Sequence, residues 1–294
     1  MERKIQLFTD SHCDLTPKEA EDLGYHMILM PYSVDGVLYS PHTADYNSHD
    51  FYQLLRDGKD VKTHSISPYT YYEIFEPYAM QGIDCVYLAL SRNMSSTVEN
   101  CEIAFKQLRE NFPNRRFELV DTRSITVGQN LILNYFSGVH AVHPNGDLDS
   151  KLRMLNSWLN RVQVLLFPEN LKHFRRGGRV SNISAFFGDA LSVRPLMCVN
   201  RQGELQIIKK VRGKQKIIKE LVKMIEQNIS KFTKTIYLAV SDNERLKLDL
   251  VEEIHSRIPD IIIECYDINP TTGAHCGPDT IGVGFMGKDS NLIF

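Results

Sequence analysis

Nowhere does the chain carry an apolar run approaching the ~20 residues that a membrane-spanning helix needs, so a spanning protein is not expected. Neither sign of charge dominates: 34 Lys and Arg face 36 Asp and Glu, a formal −2. A surface built throughout for nucleic acid or anionic membrane would be strongly basic, so any such function is confined to a local patch. Cysteine is sparse, with six residues at 13, 85, 101, 198, 265 and 276 and no C-x-x-C pair. Cys85 and Cys265 lie in apolar runs, where a free thiol behaves as a small hydrophobe. With no signal peptide at the MERKIQLFTD start, a reducing cytoplasm without disulfides is the expectation. Neither H-E-x-x-H nor G-x-S-x-G occurs. His140 and His143 have i, i+3 spacing without an accompanying Glu-x-x-His set, and read as solvated helix surface rather than a metal site. No metal and no cofactor is expected.

Hydrophobic residues make up 43% of the chain, ample for a core, which excludes wholesale disorder. A length of 294 residues suggests two domains. The first half alternates strands (Ile5–Thr9, His26–Val34, Asp84–Leu90, Phe117–Asp121) with helices (from Pro17, through Phe51–Leu55, from Pro68 to Met80, Ser95–Asn111, Val127–Val142). That rhythm predicts a parallel sheet with crossover helices. It changes after the helix Leu148–Asn160. Strand Val162–Phe167 is followed by a basic, Gly-containing segment, Lys172 to Arg179. Val193–Val199 and Leu205–Val211 flank a turn that predicts a β-hairpin. Helices at Lys214–Ile229 and Asn243–Ile258 alternate with strands at Thr235–Ser241 and Ile261–Tyr266. The fold class is therefore α/β: an N-terminal parallel-sheet domain, residues 1–155, and a C-terminal α+β domain, residues 156–294.

Gly282, Gly284 and Gly287 fit G-x-G-x-x-G, but only seven residues follow, too few for the helix that would hold a dinucleotide's pyrophosphate. They read as a tight turn and closely packed backbone. Three other segments are more informative. Ser91-Arg92-Asn93-Met94-Ser95-Ser96-Thr97 follows an apolar strand and precedes a helix, a place where unpaired N–H groups and hydroxyls suit a carboxylate or phosphate. Plain helix capping by Ser95 or Ser96 explains it about equally well. Lys62-Thr63-His64-Ser65-Ile66-Ser67-Pro68 leads into another helix start; capping accounts for Ser67 but not for Thr63 or Ser65. In Thr271–Pro278, His275 is framed by Gly and Pro on a sharply bent backbone, where an imidazole can donate to a carboxylate, although such a residue taken alone is more often a plain turn histidine. Basic clusters at Arg175–Arg179 and Lys209–Lys216 present guanidinium groups suited to phosphate or carboxylate.

Taken in order, these segments resemble the DegV family along nearly the whole chain. Thr9-Asp10-Ser11-His12-Cys13-Asp14-Leu15 is similar to its D-S-x-x-D-L start. Lys62-Thr63-His64 stands for K-T-S, Met94-Ser95-Ser96-Thr97 for L-S-G-T, and Val120-Asp121-Thr122 for V-D-S. Arg176-Gly177-Gly178-Arg179-Val180-Ser181 resembles K-G-G-R-I-S, Lys210-Val211-Arg212-Gly213 resembles K-x-R-G, and His275-Cys276-Gly277-Pro278 corresponds to H-T-G-P. The resemblance implies a bacterial, cytoplasmic carrier that binds a long-chain fatty acid between its two domains. Some members, the FakB group, present the acid to a fatty acid kinase. It further implies that Thr63, Ser95 and His275, with Ser96 and Thr97 beside them, meet the carboxyl group. Arg179 and Arg212 would flank it and serve the kinase step. A transient peripheral contact with membrane is compatible with such a carrier; nucleic acid is not an expected partner. Three positions depart from the pattern: His64 for a small Ser, Ser96 for Gly, and Asp279 for Gly. An acid at 279 would repel a carboxylate unless its side chain points away.

A tail of ~15 methylenes, at ~0.8 kcal/mol each, gains on the order of 12 kcal/mol gross on burial, much of it offset by ordering. The head group then needs only orientation and paired hydrogen bonds. Two rivals stand beside this carrier: a hydrolase with Ser95 as nucleophile and His275 as base, and a nucleic-acid surface centred on Arg179 and Arg212.

Overall fold

Short apolar runs bounded by Pro, Gly and capping residues set the order of elements. The structure, a computed structural model, describes residues 4–40, 47–143, 147–169, 171–181, 183 and 193–288. The first half runs β1 (Ile5–Asp10), α1 (Pro17–Asp22), β2 (Tyr25–Ile28), β3 (Tyr32–Val34), β4 (Val37–Tyr39), α2 (Ser48–Arg56), β5 (Val61–Thr63), α3 (Pro68–Met80), β6 (Asp84–Ala89), α4 (Thr97–Asn111), β7 (Phe117–Asp121) and α5 (Val127–Val142). The second runs α6 (Leu148–Leu159), β8 (Val162–Pro168), α7 (Lys172–Gly177), β9 (Val180–Ser181), β10 (Val193–Val199), β11 (Leu205–Arg212), α8 (Lys214–Asn228), β12 (Thr235–Val240), α9 (Glu244–Arg257), β13 (Ile262–Asp267), α10 (Pro270–Cys276) and β14 (Thr280–Met286).

The expected parallel sheet is present, in the order β2-β1-β6-β7 with every pairing parallel. The second half holds a mixed seven-stranded sheet, β13-β12-β14-β8-β10-β11-β9, and contains the expected hairpin β10–β11. A small antiparallel sheet, β4-β3-β5, was not foreseen. It forms because Pro31 has no N–H to give a ladder and splits the single strand expected at His26–Val34. The two pieces join different sheets.

Other expectations are corrected. The basic segment from Lys172 is helix α7, ended by Gly178 in the left-handed region, φ 66°. His275 lies on helix α10 rather than on a bent loop: Pro270 occupies its first turn and the Asn269 side chain caps the N–H groups of Thr271 and Thr272. Gly282 and Gly284 belong to strand β14, paired on both sides by β12 and β8, and not to a turn. Cys265 is exposed on the edge strand β13, unlike the buried Cys85.

Period-two alternation divides the large sheet between two cores. Leu165, Phe167, Leu238, Ile281, Val283 and Phe285 pack outward beneath α8 and α9. From the other face Val164, Leu166, Ala239 and Met286 join the core shared with the first half.

Candidate functional site

Strand β1 has β2 on one flank and β6 on the other, so the chain order reverses between β1 and β6. A crevice opens at such a switch point beyond the carboxyl ends of the strands. His12 follows β1, and Ser91–Thr97 follow β6. A cavity of about 210 Å³ lies there. Its polar side is lined by His12, Thr63, His64, Ser65, Ser95, Ser96, Thr97, Arg179 and His275. Its apolar side combines Met30, Leu90, Met94 and Ile125 from the first half with Val164, Leu166, Val199, Leu205, Ala239 and Gly282 from the second.

Small inner residues make that space. A Cβ built on Gly282 would come no closer than 3.7 Å to Leu166 Cβ and 3.9 Å to Ala239 Cβ and Leu165 O, ordinary contact distances, and Gly282 lines the cavity. Gly284, one step along the same face, is closed instead: its Cβ would fall 3.0 Å from the Val127 carbonyl oxygen where α5 begins.

His275 is positioned from several sides. Asp14 Oδ1 accepts from the N–H (3.0 Å) and Nδ2 (2.7 Å) of Asn269, fixing the start of α10. Helix α2 lies so close that a Cβ on Gly273 would come within 2.7 Å of the Tyr52 hydroxyl, which itself donates to Ile268 O at 2.8 Å. Gly177 covers the imidazole, its missing Cβ leaving room that would otherwise put a carbon 2.7 Å from Nδ1. Nε2 is hydrogen-bonded to Thr63 Oγ1 at 2.9 Å, and Thr63 is held in register opposite Tyr32. Burial, aided by the positive charge of Arg179, pushes the imidazole down to about 4, so His275 is neutral near pH 7.

Ser95 Oγ accepts from the N–H of Thr97 at 3.3 Å, which leaves its O–H to donate into the cavity. This local bond and ligand contact are thus compatible at Ser95, whereas the N-cap position of α4 belongs to Ser96, whose side chain makes no cap bond. The Thr97 hydroxyl is hydrogen-bonded to Tyr71 Oη at 2.8 Å and serves the wall. Ser96 is exposed at the mouth. Arg179 donates from Nη1 to Gly177 O and from Nε to Met94 O at 3.4 Å, which ties the turn after α7 to the Ser95 loop. Arg212, at the exposed end of β11, does not line the cavity. His64 Nε2 is hydrogen-bonded to Ser33 Oγ at 2.9 Å. The Asp279 carboxylate turns to Asn243 Nδ2 (2.8 Å) and Arg56 Nη2 (3.3 Å). Its charge is thereby matched outside the cavity.

Sequence reasoning singled out Thr63, Ser95, Ser96, Thr97, Arg179 and His275, and the fold brings these six to one cavity. It passed over His12. The available signal was position: His12 leaves β1 at the same sheet end where Ser95 leaves β6.

A family model described as "Uncharacterised protein, DegV family" matches residues 4–288. A DegV domain-containing protein of Clostridium perfringens is 31% identical over 289 residues, covering 97% of this chain and 98% of that protein. Among solved structures, a fatty acid binding DegV family protein of Streptococcus agalactiae gives a TM-score of 0.85 at 20% identity, covering 98% of this chain and 100% of that one. A DegV family protein of Thermus thermophilus, described by its fatty acid binding, gives 0.84 at 22%, covering 96% and 99%. At such identities the structural likenesses speak for the fold, an α/β chain with a parallel-sheet domain and a separate mixed-sheet domain. The chain belongs to the DegV family.

Proposed function

We propose that the chain binds a long-chain fatty acid, with its carboxyl group at Thr63, Ser95 and His275 and its tail along the apolar wall between the two domains, whose boundary we put near residue 155. The observation that carries this is the cavity itself: neutral donors at one side and an apolar floor opened by Gly282 behind them. Binding by the Streptococcus and Thermus relatives supports the same ligand class. A neutral His275 suits an anion that also accepts from hydroxyl groups.

The protein performs no chemistry of its own in this proposal. The Ser95 hydroxyl is not hydrogen-bonded to His275, whose Nε2 pairs with Thr63 instead, so no nucleophile–base contact supports the hydrolase rival. Arg179 at the mouth and Arg212 on the outer end of β11 serve a partner fatty acid kinase in the cytoplasm. Transient membrane contact falls to β4, where Val37, Leu38 and Tyr39 are exposed on the small sheet that carries Thr63.

Native mass spectrometry of the protein from a bacterial host tests the ligand. The expected result is a mass increment of one fatty acid, exchangeable for added palmitate. A protein that arrives empty and takes up no long-chain acid would overturn the proposal. For the kinase step, Arg212→Ala should leave uptake unchanged while slowing phosphorylation of the bound acid at least tenfold, about 1.4 kcal/mol. Loss of uptake instead would contradict that division of roles.

A further inference from the structure

Asp10 and His12 form a hydrogen-bonded pair in the turn after β1. The Asp10 carboxylate accepts from the His12 N–H (3.1 Å), the Leu90 N–H (3.0 Å), the Tyr87 hydroxyl (2.9 Å) and His12 Nδ1 (2.8 Å). Burial works against its charge, yet the His12 ring and these donors hold the carboxyl below its ordinary range. With Nδ1–H committed to Asp10, Nε2 is the free nitrogen of His12. Asp10 has no accessible side-chain surface, whereas the His12 side chain keeps 11%, and His12 lines the cavity.

We propose that His12, backed by Asp10, is a head-group residue whose Nε2 takes the proton of the bound carboxylic acid and holds the ligand as a carboxylate against an imidazolium. This rests on the fatty-acid proposal above. The step is a single proton transfer: the acid's proton, carried in on R–COOH or released to solvent before binding and taken up with the carboxylate, forms the Nε2–H bond, the ligand is held as R–COO⁻, and the Nδ1–H stays hydrogen-bonded to the Asp10 carboxylate.

A carboxylate in a half-dry site needs a countercharge as well as hydrogen bonds. Thr63, Ser95 and the neutral His275 supply only dipoles. The titratable and charged groups that line the cavity with His12 or touch Asp10 are Tyr87 from the parallel sheet, His64 after β5, Arg179 after α7, and His275 and Cys276 on α10, besides Asp10 itself. Asp10 gives the His12 ring a negative neighbour and Arg179 places a positive one on the same cavity. Entry of the acid tips that balance, because the new carboxylate attracts both His12 and Arg179. The ligand is then held with an ionised oxygen, the form that accepts a phosphoryl group.

The test uses palmitic acid labelled with carbon-13 at its carboxyl, bound to the full chain and followed by NMR from about pH 8 to about pH 4. The bound carboxyl of the wild type should titrate at least about one pH unit lower than that of His12→Gln, a tenfold difference in acidity. Coincident midpoints in two lipid-loaded proteins would overturn the role of His12. Should His12→Gln fail to fold, histidine labelled with nitrogen-15 in the wild type gives the same answer. One imidazole should become doubly protonated when palmitate is added, and an unchanged set of histidine signals would overturn the proposal. A wild type that takes up no palmitate removes the fatty-acid proposal beneath it, a result distinct from both.

Discussion

Ser95 spends a lone pair on the Thr97 N–H and keeps its proton, so its two roles separate on mutation. Ser95→Ala should cost the empty protein about 0.5–1.5 kcal/mol through the lost hydrogen bond to the Thr97 N–H. It should weaken lipid binding by a further ~1–3 kcal/mol through an unpaired carboxyl oxygen. Thermal melts and a palmitate displacement titration measure the two effects independently; unchanged affinity would leave Ser95 with its local bond to Thr97 only. Asp14 offers a pH-dependent test. Burial raises its carboxyl to about 8, against the hydrogen bonds from Asn269 that lower it. The folded chain therefore holds a proton that the unfolded chain has released, and stability from this group falls as pH rises from about 4 to about 8. Asp14→Asn keeps an acceptor for Asn269, tolerates the left-handed φ of 62°, and cannot ionise. Between about pH 6 and about pH 8 the wild type should lose up to about 2 kcal/mol more than the variant in urea unfolding. Equal slopes would refute this account. The lowered His275 acts with the opposite sign, its contribution being lost as pH falls from about 6.5 towards 4. Thr63, Ser95 and His275 were legible because short motifs in the right order named them. His12 was not, because Asp10, which holds its ring, is itself held by Tyr87 and Leu90, 77 and 80 residues further along the chain, and only the sheet brings them together.

β14 shows what a one-dimensional pattern conceals. Its G-x-G-x-x-G spacing reads as a turn, yet alternate residues Ile281, Val283 and Phe285 build the outer core while Gly282 opens the inner face. Periodicity was present, but glycine at alternate positions removed the apolar half of the signal. Helix α10 was hidden in a similar way, since seven residues containing Pro, Gly and two Thr carry little helical pattern. Its stability comes from the Asn269 cap and from α2 packed on Gly273. The longer elements, by contrast, were readable from apolar runs and capping residues alone. A side chain at 282 meets only ordinary contacts at its Cβ and then projects into the cavity. Gly282→Leu should therefore shorten the tail the cavity accepts, each excluded methylene forfeiting ~0.8 kcal/mol. Competition between stearic and lauric acid reads the effect: the variant should shift towards the shorter acid, and an unchanged preference would show that the tail runs elsewhere.

Across the whole molecule, Arg56 on α2 bridges to Asp242 and Asp279 in the second half, with His49 Nδ1 2.9 Å from Asp242. These partly exposed pairs contribute little to stability, under about 1 kcal/mol. Arg56→Gln also removes a cation from Asp279, so lipid retention should weaken at low salt and recover as salt screens the acid. Retention independent of both would show that the Asp279 charge is not felt at the head group. Chain order and hydropathy made the parallel sheet and the β10–β11 hairpin readable, whereas the small sheet β4-β3-β5 was not, and the bridge joins positions 56, 242 and 279, which no local pattern links. The outward core of the large sheet, from Leu165 to Phe285 beneath α8 and α9, involves no residue that lines the cavity. A vessel braced on its outside wall does not need its contents to keep its shape. The unloaded protein should therefore melt cooperatively, gaining from added lipid only what mass action supplies, and can be emptied and refilled through many rounds without passing through an unfolded state.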